Sequence, residues 1–133
     1  MGQLAAKQGY QIIATDTHIV MVPGSPSPVP TPQPHPFNGI INGWLSSDVN
    51  IVGLPAATVH STADNTPPHT PTPPGSAFQN PPTNKGVVKM GSPSVNINGK
   101  PAARNGDPAE TCNDPAPLLA GTVVVVSGTV FIG

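Results

Sequence analysis

Prolines recur every few residues in two long parts of this sequence, between Pro23 and Pro36 and between Pro67 and Pro82. Each proline removes a backbone hydrogen-bond donor and restricts the residue before it, so a helix cannot run through either part. A short helix is predicted only within residues 1–9. The rest of the chain is expected to be all-β, with many turns.

The two proline-rich stretches themselves, residues 29–36 and 66–74, favour polyproline II geometry. Taken alone, they are typical of linkers or of ligands for SH3-type domains. Disorder usually brings high net charge and low hydrophobicity. This chain has a formal net charge of -1 and an apolar fraction of 36%. We therefore expect a folded β-rich chain.

Several segments rich in β-branched and apolar residues predict strands. They are residues 11–15, residues 18–22, the partly alternating stretch 39–54, residues 87–97, and two short strands within 121–133 around a turn at Ser127-Gly128.

An internal repeat supports a defined fold. Residues 48–58 and 94–104 are offset by 46 positions and are identical at seven of eleven positions. A partial echo lies at residues 128–133. Each unit is interpreted as a Val-x-Ile strand, a glycine turn and a Pro-Ala-Ala segment whose small side chains let backbones approach closely. We predict a single domain over residues 1–133.

Composition excludes some classes of partner and location. Five basic and six acidic residues predict no nucleic-acid-binding patch. The sequence contains no run of about 18 apolar residues, so no transmembrane helix is expected. The N-terminus lacks a basic segment followed by an apolar one, so no signal peptide is expected. Export would therefore require a dedicated machine.

The segment Gly91–Asp107 contains the letters Pro-Ala-Ala-Arg at residues 101–104 and resembles the strand-turn-strand unit of the PAAR family from end to end. Residues 15–18 are similar to the family's early Asp-x-Thr-x-His segment, shortened by one residue. Residues 49–57 resemble a second unit, with Thr58 in the place of the arginine. The long proline-rich inserts are most similar to PAAR-like tip proteins of phage-tail-like extracellular injection particles.

This resemblance implies a small β-cone with approximate threefold pseudo-symmetry and zinc at its apex. It implies a structural tip, and not an enzyme, that caps the trimeric β-helical spike of a contractile injection machine such as type VI secretion, with one tip per trimer. The expected role is to help puncture the target envelope through transient membrane contact, and effector cargo is a candidate further partner. The protein would assemble in the bacterial cytoplasm and leave with the particle.

The resemblance also implies one zinc ion, usually held by three histidines and one cysteine, which suits a tetrahedral structural site. The spacing of the residues alone gives no ligand pair. The candidates are His18, His35, His60, His69 and Cys112. We predict the set His18, His35, His69 and Cys112. His60 is the alternative to His35, and we prefer His35 because the 46-residue offset places His60 at Gly106, a turn position rather than the ligand position.

Other function classes fit the sequence less well. A catalytic zinc needs an open coordination position and a general base, and only one glutamate, Glu110, lies near Cys112. Asp16 is interpreted as a turn-forming or outer residue that supports a ligand. A proline-rich adaptor is the other alternative, besides a stand-alone zinc-binding module. Its two PxxP segments lack a neighbouring Arg or Lys.

Overall fold

The computed structural model describes residues 2–133, and these residues form strands, turns and bends without an α-helix. The predicted all-β class is confirmed. No helix in this range is long and apolar enough to cross a membrane. The thirteen strands are β1 (Gln3–Leu4), β2 (Gln11–Val22), β3 (Val29–Gly43), β4 (Asn50–Ile51), β5 (Leu54–Pro55), β6 (Thr62–Asn65), β7 (Ala77–Phe78), β8 (Lys85–Val88), β9 (Asn96–Ile97), β10 (Lys100–Pro101), β11 (Pro108–Thr111), β12 (Leu118–Val124) and β13 (Phe131–Ile132).

Six of these strands close into an antiparallel barrel. The order is β12-β11-β8-β6-β3-β2, and β2 pairs back to β12. Closure removes the exposed sheet edges that would otherwise invite pairing with other chains. Each strand contributes at least one fully buried apolar side chain to the interior: Ile12, Ile41, Ala63, Val88, Ala109 and Val123. Strand β7 adds to β2 beyond the barrel wall.

The hairpin of β2 and β3 is the longest element and positions the candidate site. Its register runs from Gln11 opposite Ile40 to Val22 opposite Val29, so it extends past the shorter barrel strands. The ring of Phe37 is buried at the end of the barrel from which the hairpin extends. A Cβ atom at Gly39 would lie 2.6 Å from the Phe37 ring, so a side chain at that position would displace it.

The prediction of polyproline II geometry at residues 29–36 is wrong, because this stretch is part of β3. In an antiparallel pair, alternate residues exchange no backbone hydrogen bonds with the partner strand. Thr17 and Ile19 of β2 make their backbone hydrogen bonds to the loops on the other side. Their partners in β3 are Pro34 and Pro32. The alternating prolines therefore occupy positions where the missing N–H costs no ladder bond.

The repeat corresponds to small hairpins. Strands β4 and β5 form one, and β9 and β10 form its counterpart. Each turns through two residues of positive φ, Val52-Gly53 and Asn98-Gly99, as a type I′ turn requires.

A third pair of the same kind joins the two ends of the described chain, because β1 pairs with β13. The echo at residues 128–133 is therefore completed by the segment after Gly2, and not by its own neighbours in sequence. The predicted helix at residues 1–9 is wrong for the described residues 2–9, since Gln3–Leu4 is a strand held by Phe131–Ile132. Residue 1 lies outside the described range. The two strands predicted within 121–133 exist, but β12 pairs with β11 and β2 instead of β13.

The three Ala-Ala segments that follow these pairs bond to one another in a ring. The N–H of Ala6 donates to Ala103 (2.9 Å), that of Ala57 to Ala6 (3.1 Å), and that of Ala103 to Ala57 (3.0 Å). All three side chains are fully buried, and larger ones would force the backbones apart. Next to this ring lies a second apolar cluster that includes Ile51, Ile97 and Ile132, one from each pair. The cone shape, the threefold pseudo-symmetry and the single domain stay predictions.

Candidate metal centre

Two neighbouring strands deliver three polar side chains to the interior beyond Phe37. Side chains alternate between the faces of a strand, and β2 turns Asp16 and His18 to the same inner face as Ile12. The register places His35 of β3 directly opposite Asp16. All three are buried, with 0%, 1% and 3% of their surface exposed. Their inward direction therefore follows from the same alternation that builds the barrel core.

Two loops add the remaining donors. Cys112 follows β11 directly and is 5% exposed. His69 lies in the proline-rich loop after β6, and its side chain is 3% exposed. The amide of Asn84 fixes this loop by accepting a hydrogen bond from the His69 backbone N–H at 2.8 Å.

Four donor atoms, one each from Asp16, His18, His69 and Cys112, lie within 4.8 Å of one another. Asp16 Oδ2 is 3.0 Å from His69 Nε2 and 3.4 Å from Cys112 Sγ, which is 3.6 Å from His18 Nε2. Ligand atoms around a tetrahedral metal are separated by about 3.3–3.8 Å, given metal–N and metal–O bonds of about 2.0–2.2 Å and a metal–S bond of about 2.3 Å. This buried group can hold a metal ion.

His35 lies beside this group. Its ring centroid is 5.5 Å from those of His18 and His69, which are 4.9 Å apart. Three rings that share one tetrahedral zinc have centroids about 5 Å apart. His35 Nδ1 is 3.0 Å from the carbonyl oxygen of Gln33, and Nε2 is 2.9 Å from Thr72 Oγ1. The four residues predicted as ligands are thus neighbours, and their role as ligands stays a prediction.

His60 lies elsewhere. It is exposed, has a φ of 80°, and donates its backbone N–H to Val88 at 2.9 Å. The structure therefore places it in a turn, as the offset to Gly106 indicated, and away from the other histidines.

Asp16 is the donor that the sequence reasoning assigned only to an outer role. Besides its contacts within the group, it accepts a hydrogen bond from the Thr111 hydroxyl. Its spacing was an available signal, because a carboxylate two residues before His18 in a strand must share the inner face with it.

Burial governs the protonation of two donors in the metal-free chain. Burial, followed by the nearby Asp16 carboxylate, raises the pKa of the Cys112 thiol from 9.0 to about 11. Burial, followed by the neighbouring His69, lowers the pKa of His18. Metal-free Cys112 is therefore a thiol at neutral pH. A metal ion that binds sulfur must displace its proton.

The surrounding charges fit a cation at this position. The five Lys and Arg side chains have their ion-pair or cation–π contacts elsewhere: Lys85 with Asp64, Lys89 with Glu110, Arg104 with Asp107, Lys7 with the Tyr10 ring and Lys100 with the Trp44 ring. The carboxylate of the fully buried Asp16 lies 3.0 Å from His69 Nε2. Asp16 also accepts hydrogen bonds from Thr111 and Asn113, and a divalent cation would balance the charge of this buried carboxylate.

Two clefts approach the group. One of about 370 Å³ is lined by His35, His69 and the loop residues 65–73. Another of about 220 Å³ is lined by His18, Cys112 and residues 113–115. Both clefts are thus lined by residues of the donor group or by His35 beside it.

Comparison with known families finds a match to the C-terminal part of the chain. Residues 79–133 match the family model described as the PAAR motif. This segment is therefore identified as a PAAR-motif segment, consistent with a PAAR-repeat spike-tip protein. It includes β8 to β13 and carries Cys112. No curated protein matches the chain.

Proposed function

We propose that this protein is the structural tip of a contractile injection machine, seated on a trimeric β-helical spike and tied together by one zinc ion. The PAAR motif over residues 79–133 is the observation that carries the proposal, and it supports a function of the spike-tip type. The machine is of the phage-tail-like extracellular or the type VI secretion class. The protein leaves the bacterial cytoplasm with the particle, touches the target membrane briefly and is not an enzyme.

Zinc is proposed because of the donors. Thiolate and imidazole are the usual ligands of structural zinc, and such sites bind four protein ligands. His18, His69 and Cys112 are three ligands of the proposed site. We predict His35 as the fourth, and the Asp16 carboxylate is the competing donor.

The proposed docking face surrounds Ile51, Ile97 and Ile132, at the end of the molecule remote from the metal centre. Apolar side chains are exposed in these strand pairs, among them Val52 at 67% and Phe131 at 56%. Contiguous exposed apolar patches mark surfaces that bind other proteins, and we propose that these side chains form such a patch. The hydrogen-bonded ring of Ala6, Ala57 and Ala103 supports a threefold arrangement, by which one copy of this chain would match a threefold spike.

Elemental analysis tests the metal assignment. The purified protein is expected to contain about one zinc per chain. Zinc should be lost in Cys112→Ser and His35→Ala and retained in His60→Ala, which is the matched control because His60 lies in an exposed turn. If zinc is retained in His35→Ala but lost in Asp16→Asn, the fourth ligand is Asp16 and not His35. Retention in Cys112→Ser would refute the site.

Co-purification tests the docking assignment. The chain is expected to bind the spike protein of its own gene cluster with one tip per three spike subunits. Substitution of an exposed residue of the docking face, Val52→Asp, should abolish that binding without changing the zinc content. No association, or three tips per trimer, would contradict the proposed role. Cargo binding is a further part of the proposal that the same pull-down can reveal.

A further inference from the structure

One buried nitrogen at the metal centre lacks a hydrogen-bond partner. His18 Nδ1 is the single side-chain nitrogen or oxygen atom within residues 2–133 that is both buried and unbonded. Buried polar atoms are nearly always hydrogen-bonded, so an exception needs an explanation.

The nearest charged group to this nitrogen is a carboxylate. Asp114 Oδ2 lies 3.6 Å from His18 Nδ1, and both side chains are largely buried. A charge-assisted hydrogen bond spans about 2.7–2.9 Å, so a movement of less than about 1 Å would form one. Within residues 2–133, the ion pairs of the Lys and Arg residues are made with other acidic residues. Asp114 therefore has no such partner that competes with His18.

Asp114 is held in place by the strand that carries His18. Its Oδ2 accepts a hydrogen bond from the N–H of Ile19 at 2.9 Å, and its own N–H donates to the carbonyl of Thr17 at 2.8 Å. The Thr17 N–H in turn donates to Asn113 Oδ1 at 2.7 Å. The segment 113–114 is therefore bonded to β2 on both sides of His18, and the carboxylate stays next to the ring.

The other nitrogen of the ring faces the donor group. His18 Nε2 lies 3.6 Å from Cys112 Sγ. When a neutral imidazole binds a metal through one nitrogen, the proton resides on the other nitrogen and usually donates to a carboxylate, a carbonyl or water. Metal binding through Nε2 would therefore place the proton on Nδ1, where Asp114 is the acceptor.

We propose that Asp114 is a positioning residue, which accepts a hydrogen bond from His18 Nδ1–H and thereby fixes the tautomer and orientation of His18 for metal binding through Nε2. This inference rests on the proposed metal site and extends it to a residue outside the donor group. Metal binding through Nε2 would then give His18 Nδ1 a hydrogen-bond partner, the carboxylate of Asp114.

The test is Asp114→Asn, which keeps an oxygen acceptor for the Ile19 N–H and removes the charge. We expect zinc affinity, measured by competition with a chelator, to fall about 10–100-fold, the usual effect of losing such a partner. The cobalt-substituted protein should keep its sulfur-to-metal absorption band, because the ligands are unchanged. Asp64→Asn is the control, since Asp64 is exposed and pairs with Lys85; its zinc affinity should equal that of the unmodified protein.

Nitrogen NMR of the zinc-loaded unmodified protein supplies a readout that a purely structural role would not move. It should show His18 bound through Nε2 and protonated on Nδ1. Binding through Nδ1, or an unchanged zinc affinity in Asp114→Asn, would overturn the inference while leaving the metal site intact. An equal loss of thermal stability in metal-free and zinc-loaded Asp114→Asn would also overturn it. A protein that binds no zinc would overturn both proposals.

Discussion

At the scale of single residues, His60 has a structural role that its backbone alone performs. Gly9, His60 and Gly106 occupy corresponding turns with φ values of 93°, 80° and 90°. Each donates its N–H to an inner barrel strand, at Ile41, Val88 and Val123 respectively. Two of the three turns use glycine, which adopts positive φ without steric cost. His60 therefore serves the turn with its backbone, at an energetic cost.

His60→Gly should stabilise the protein. Relief of the left-handed conformation is worth about 1–2 kcal/mol, and the greater freedom of glycine in the unfolded chain offsets about 0.4–1 kcal/mol of it. We expect a net gain of about 0.5–1 kcal/mol in the free energy of unfolding, measured by urea denaturation. The control is His60→Ala, which removes the imidazole and keeps the strained backbone, so it should give no gain. Equal effects of both substitutions would disprove the backbone explanation.

At the scale of elements, the sequence predicted those strands and turns that depend on neighbouring residues. The apolar runs of β2 and the Val-x-Ile units with their glycine turns were visible in the sequence. The pairing of β1 with β13 was not, because it depends on a partner more than 120 positions away. The proline-rich β3 was missed for a related reason: only the pairing with β2 shows that the prolines fall where no ladder bond is needed.

The donors of the candidate site likewise divide into those that were predicted from the sequence and those that only the structure revealed. Cys112, His18, His35 and His69 were predicted with the help of a family resemblance, and they are neighbours in the fold. The spacing to His18 could have placed Asp16 on the same face of β2, but its contacts with His69 and Cys112 depend on distances between separate segments. The partner role proposed for Asp114 likewise depends on hydrogen bonds between residues 113–114 and β2.

The pair of β1 and β13 should be essential for stability. Ile132 is 6% exposed and packs with Ile51 and Ile97. Ile132→Ala removes buried apolar atoms and leaves a cavity, which typically costs about 2–5 kcal/mol. The control is Phe131→Ala in the same strand, whose side chain is 56% exposed and should cost less than about 1 kcal/mol. Urea denaturation of both variants measures the difference, and a loss in Ile132→Ala no larger than about 1 kcal/mol would show that the strand pair contributes little to the core.

At the scale of the whole molecule, the buried side chains form two apolar clusters and one polar group. The isoleucine cluster packs with Ala5, Ala56 and Ala102, and the next alanines, Ala6, Ala57 and Ala103, belong to the barrel core with Phe37. The same face of β2 that contributes Ile12 to this core carries the polar donors Asp16 and His18. The chain has only five aromatic residues, so its apolar core is light. A structural zinc in small peptides contributes apparent binding energies of about 10–16 kcal/mol. That is comparable with the net stability of a whole domain, about 5–15 kcal/mol.

The metal-free protein should be most stable between about pH 6.5 and pH 9. The lowered pKa of His18 means that folding favours its neutral form. That stability is present above the ordinary histidine pKa of about 6.5 and is lost as the pH falls below it. The pKa of Cys112, raised from 9.0 to about 11, favours the neutral thiol in the folded state. Its contribution, up to about 3 kcal/mol, is present below pH 9 and is lost as the pH rises to about 11.

Urea denaturation in the presence of a chelator, at pH 5, 7.5 and 10.5, measures this profile. Cys112→Ala is the control for the alkaline side, because it keeps a small buried side chain and has no thiol to ionise. Its stability should decline less than that of the unmodified protein between pH 9 and 11. The zinc-loaded protein should also lose the Cys112 part of the alkaline decline, since its sulfur is already a thiolate. An alkaline decline of the same size in Cys112→Ala would show that other groups cause it.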